Sequence, residues 1–152
     1  MRRATVRRLL VPISFAIFAV GCGAGQPIDA QAVRRSFSKL QSALDSQDAQ
    51  TICRLLAPIG QASSLAVLQA GMPQLQRMSR QQLQGEIEDC ARSLRPSDIE
   101  PLKRGLTGLS LRTVALVHDH DLATARAVSA GRSLNLIFVK LAGEWRLAFG
   151  NR

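Results

Sequence analysis

The sequence predicts an α+β domain in which N-terminal helices pack on a curved antiparallel β-meander of about four strands. Three observations predict it. Apolar residues recur at helical spacing from residue 29 to about residue 105. After Gly108 the period falls to two, the spacing of half-buried strands. Turn residues punctuate this second half at 129–132 and 142–143. Helices grouped ahead of a meander imply one layer of helices on one face of the sheet.

The chain begins with a leader. Arg2, Arg3, Arg7 and Arg8 form a basic segment, and residues 9–21 are an uncharged apolar run. That run fits the apolar core of a signal peptide. It falls short of the ~20 residues that span a bilayer, and Pro12 disfavours a long helix. Residues 1–21 therefore read as a signal peptide, with a permanent single-pass anchor as the alternative. Ala19-Val20-Gly21-Cys22 resembles the lipobox of bacterial lipoproteins. The resemblance implies a diacylglycerol group on Cys22, which becomes the first mature residue. Ordinary secretion with cleavage nearby is the plainer alternative. Residues 22–28, rich in glycine, read as a flexible tether to a domain at 29–152. Two or more acyl chains hold a protein stably on a bilayer. The expected location is thus extracytoplasmic, lipid-anchored to the cell membrane through Cys22. Arg7-Arg8-Leu9-Leu10-Val11 also resembles a twin-arginine signal, so the export route stays open.

Val33, Phe37, Leu40 and Leu44 share one face of a first helix, for which Asp29 is placed to cap the start. Asp48 is placed to cap a short second helix carrying Ile52, Leu55 and Leu56 and stopping before Pro58. Residues 59–78 read as helix or loop, because Gly71 and Pro73 interrupt the pattern. Ser79 and Gln82 have capping-box spacing ahead of Leu83, Ile87, Cys90 and Leu94. Pro96 ends that helix, and Ser97 with Glu100 caps a last turn or two.

In the first predicted strand Leu109, Leu111, Thr113, Ala115 and Val117 alternate with Ser110, Arg112, Val114 and Leu116. In the second, Ala123, Ala125 and Ala127 oppose Thr124 and Arg126. In the third, Leu134, Leu136, Phe138 and Lys140 alternate with Asn135, Ile137, Val139 and Leu141. Ala142-Gly143 makes a tight hairpin into a strand with Trp145, Leu147 and Phe149 on one side.

Composition narrows the partners. The formal charge of +9 includes the four leader arginines, and the remaining basic residues are scattered. Aromatic residues are few and tyrosine is absent, so neither a basic patch nor stacking platforms point to nucleic acid. With Cys22 set aside, Cys53 and Cys90 remain. An even pair in an exported domain suggests a disulfide; two free buried thiols or a redox pair are the alternatives.

One cluster suggests chemistry. Both histidines lie in Val117-His118-Asp119-His120-Asp121. His118, His120 and Asp121 are weak candidates for metal binding or acid–base work. A zinc site wants three or four ligands, and a polar hairpin turn explains the same residues. No catalytic set, resident metal or cofactor is expected.

Taken together, the helix with Thr51-Ile52-Cys53-Arg54-Leu55-Leu56, the Cys90 helix, the strand at Asp121-Leu122-Ala123-Thr124-Ala125 and the ending Leu141-Ala142-Gly143-Glu144-Trp145-Arg146-Leu147 resemble the nuclear transport factor 2-like superfamily in its bacterial lipoprotein form. The resemblance covers most of residues 29–150. It implies a sheet curled around a conical cavity closed by helices, and makes a homodimer an option. Enzymes and non-enzymes share such a fold, so fold alone does not give function. The leading expectation is a lipid-anchored, non-enzymatic domain that binds a small apolar ligand or a cell-envelope protein. The alternatives are an isomerase- or dehydratase-type enzyme using the 118–121 cluster, and a purely structural interaction module.

Overall fold

Among the residues described by the computed structural model, 28–58, 65–117 and 121–151, five helices precede four strands. The leader, Cys22 and all of the tether before Ile28 lie outside the described residues, as do 59–64 and 118–120. The helices are α1 (Ile28–Ser46), α2 (Ala49–Leu55), α3 (Leu65–Gln76), α4 (Arg80–Ser93) and α5 (Pro96–Leu106). They lead into β1 (Ser110–Val117), β2 (Leu122–Ser129), β3 (Arg132–Leu141) and β4 (Glu144–Asn151). The strands pair antiparallel in chain order, giving an open four-stranded meander.

Helix α1 buries the expected stripe of Val33, Phe37, Leu40 and Leu44. Phe37 meets Phe138 of β3 edge to face, with ring centroids 6.3 Å apart. Ser36 donates its hydroxyl to the Trp145 carbonyl. Asp29 lies inside the first turn of α1 rather than before it. Its carboxylate accepts from Lys140 Nζ at 2.7 Å and from Trp145 Nε1 at 3.4 Å, fastening the helix start to β3 and β4.

The caps of α2 and α4 form as predicted. Asp48 accepts from Thr51 N at 3.1 Å, and Ser79 and Gln82 exchange side-chain bonds with each other's backbone. Helix α3 runs through both Gly71 and Pro73, which were expected to interrupt it. Proline removes one helical hydrogen bond; burial of Leu68 and Met72 against the sheet offsets that loss. Helix α5 starts two residues earlier than expected, at Pro96 with Arg95 rather than Ser97 in the cap position, and the Arg95 N–H donates to Asp98 Oδ2 at 3.0 Å. Proline suits a first helical position, where its missing donor would have no partner.

Two findings revise the sheet. Strand β1 bulges between Leu111 and Thr113. The extra residue flips the alternation, so Val114 and Leu116, not Thr113 and Ala115, follow Leu111 toward the α1 side. The Arg34 guanidinium donates to the carbonyls of Leu111 and Arg112 at this bulge. Secondly, the helices cover both faces. Leu136 and Phe138 join the core with α1 and α5, whereas Ile137, Val139 and Leu141 join a second core with α3 and α4. The apolar run of β3 explains this, since a strand buried on both sides reads as continuous rather than alternating.

Candidate functional site

The chain crosses from one face of the sheet to the other around the edge of β4, and this crossing builds a cleft. Helix α2 lies along that edge. Beyond it Ala57 N donates to the Leu147 carbonyl at 2.9 Å, a one-residue parallel bridge at Leu56. The chain then continues to α3 and α4 on the far face. A disulfide between Cys53 and Cys90 ties α2 to α4, with Cα atoms 5.9 Å apart. The expected pairing is therefore present.

Between α2, α4 and the β3–β4 hairpin lies a cleft of about 430 Å³. Three arginines and one glutamate border it: Arg54, Arg80, Arg146 and Glu144. Each is placed by its local structure. Arg80 opens α4 directly after its N-cap, Ser79. Arg54 turns outward because Ile52, Cys53 and Leu55 take the buried side of α2. Glu144 follows the Ala142–Gly143 turn, in which both residues have positive φ (51° and 84°), the geometry that matches strand twist in a two-residue hairpin. Arg146 pairs across the sheet with Val139 and so faces α4, while its neighbours Trp145 and Leu147 face α1.

Arg146 is the unusual member. It is only 2% exposed. Its Nη2 reaches Glu144 Oε2 at 3.4 Å, and its Nε and Nη1 are buried with no acceptor. An unmet buried donor costs about 1–3 kcal/mol. These two nitrogens are the unmet buried side-chain polar atoms among the described residues. Burial lowers the Arg146 pKa from its ordinary value, against the pull of Glu144 and with a smaller push from Arg54. Glu144 is committed mainly elsewhere. Both its oxygens accept from the Arg54 guanidinium. That pairing holds the Glu144 carboxyl below its usual range despite partial burial, and raises the Arg54 pKa.

A second, smaller hollow of about 180 Å³ lies on the other side of Glu144, bordered by Arg35 and Lys39 of α1. Five basic side chains thus surround a single carboxylate. A further cleft of about 420 Å³ separates α1 from the turn before β1. It is bridged by Gln41, whose amide donates to the Leu106 and Leu109 carbonyls at 2.8 and 3.0 Å.

Of the other sequence candidates, Cys22, His118 and His120 lie outside the described residues. Asp121 has structural partners: its carboxylate accepts from Gln76 Nε2 at 2.9 Å, and its carbonyl from Lys140 N at 2.8 Å. Among the described residues no three His, Cys, Asp or Glu side chains gather to hold a metal, and no helix is long and apolar enough to cross a membrane. Sequence reasoning missed the arginine cleft. The available signal was Ile137, Val139 and Leu141: an apolar second face on β3 requires cover, and that cover buries Arg146 on the adjacent strand. No protein family, curated protein or solved structure matches this chain.

Proposed function

We propose that the chain is a lipid-anchored, extracytoplasmic, non-enzymatic binding domain of the nuclear transport factor 2-like type, and that the arginine cleft is where it binds. One observation carries this reading: the disulfide-braced cleft holds a buried guanidinium with unmet donors. A disulfide suits an oxidising compartment, as the leader and Cys22 do. A guanidinium stays protonated at any accessible pH, so it recognises rather than transfers protons. The charged lining favours a polar ligand or partner over a small apolar one.

Two measurements test the reading. Growth with labelled palmitate should mark the wild-type chain and leave Cys22→Ala unmarked, with the wild type in the membrane fraction. Unlabelled, soluble wild-type protein would remove the anchor. Photo-crosslinkers at Gln84, on the cleft, and at Glu100, on α5, should capture ligand or partner at Gln84 alone; capture at Glu100 alone would move the binding surface elsewhere.

A further inference from the structure

We infer that the arginine cleft is a phosphate site, filled by inorganic phosphate or by the phosphomonoester headgroup of a lipid. This rests on the cleft as the binding region and not on the anchor at Cys22. Three guanidiniums face one carboxylate there, so a dianion balances the charge and a monocarboxylate does not. A phosphate monoester is close to a dianion at neutral pH. Guanidinium forks match phosphate oxygens two at a time. Arg146 supplies the buried, preorganised donors. Among the described residues the Arg80 side chain has no ion-pair or hydrogen-bond partner, and it stands at the exposed rim. Glu144 acts as an internal stand-in, lending Arg146 one oxygen at the long distance of 3.4 Å while bound to Arg54. Phosphate enters between Arg54 and Arg80 and takes that place on Arg146, and Glu144 keeps its bond to Arg54.

The test is calorimetric titration of the full, oxidised chain in neutral detergent with inorganic phosphate, at constant ionic strength set with chloride. Saturable binding with Kd below about 1 mM is expected. Arg146→Lys keeps the charge but loses the fork, and should weaken binding about tenfold or more. Arg80→Gln, at an exposed position, should weaken it about fivefold and decides the matter if Arg146→Lys does not fold. Glu144→Gln should tighten it. Arg92→Gln, outside the cleft and paired with Asp89, should leave it unchanged. The inference is overturned by absent saturation, by no response to Arg80→Gln, or by an equal loss in Arg92→Gln, which would make binding a matter of net charge. Repeating the titration in phosphatidylcholine vesicles with and without phosphatidate separates the sources. Weaker apparent phosphate binding with phosphatidate assigns the site to a headgroup; unchanged binding assigns it to free phosphate. A chain that crosslinks at Gln84 yet binds no phosphate overturns this inference and leaves the binding domain standing.

Discussion

Cys53 on α2 and Cys90 on α4 are joined directly, so the two helical walls of the arginine cleft move as one. The bond spans a sequence separation of 37. Closing a loop of that size contributes about 4 kcal/mol by restricting the unfolded chain. Cys53→Ser with Cys90→Ser should lower the urea midpoint accordingly, and reductant should lower it only in the wild type. Equal midpoints with and without reductant would show that the bond is absent in solution.

Replacing Arg146 by methionine should stabilise the ligand-free domain by about 1–3 kcal/mol. The change removes a buried charge with unmet donors and leaves Glu144 its stronger partner, Arg54. Urea unfolding in phosphate-free buffer reads the sign. A destabilised variant would mean that the two nitrogens have acceptors.

Ala142 occupies the left-handed region at φ 51°, which costs a residue with a Cβ about 1–2 kcal/mol. Ala142→Gly relieves that strain but gives the unfolded chain more freedom. A net gain of about 0.5 kcal/mol is expected on these opposing effects, seen as a higher melting temperature. A loss of stability would show the turn to be unstrained.

The cap on α2 predicts an acid dependence. Hydrogen bonds from Thr51 lower the Asp48 pKa in the folded state. The contribution is therefore present above the ordinary carboxylate range, near 4, and is lost as pH falls through the lowered folded value. Glu144 adds to the same window through Arg54. The stability difference between wild type and Asp48→Ala should hold from pH 7 to 5 and shrink toward pH 2. A constant difference would mean that the carboxylate form has no special role.

Leu40 is 1% exposed at the centre of the α1 stripe. Leu40→Ala should cost about 2–5 kcal/mol in chemical unfolding, since the site combines lost burial with a cavity. A cost under about 1 kcal/mol would place Leu40 outside the folded core.

Local rules made much of this architecture readable. The stripe from Val33 to Leu44, the Ser79–Gln82 box and the Ala142–Gly143 hairpin each need only neighbouring residues to be recognised. The misreadings came where distant contacts decide. Helix α3 survives Pro73 because Leu68 and Met72 pack on β3, which lies far along the chain. The bulge at Arg112 is invisible to an alternation rule, because it is held by the pairing with β2 and by Arg34 of α1. The arginine cleft needed the same long-range knowledge: Arg146 is an ordinary surface residue until α4 is placed over it.

The fastening of Asp29 to Lys140 and Trp145 sets the domain's posture. It puts the start of α1 beside the hairpin end of the sheet, the end that also carries Ala142, Glu144 and Arg146. An anchor at Cys22, as proposed, would therefore enter the domain at the end of the sheet that bears the arginine cleft.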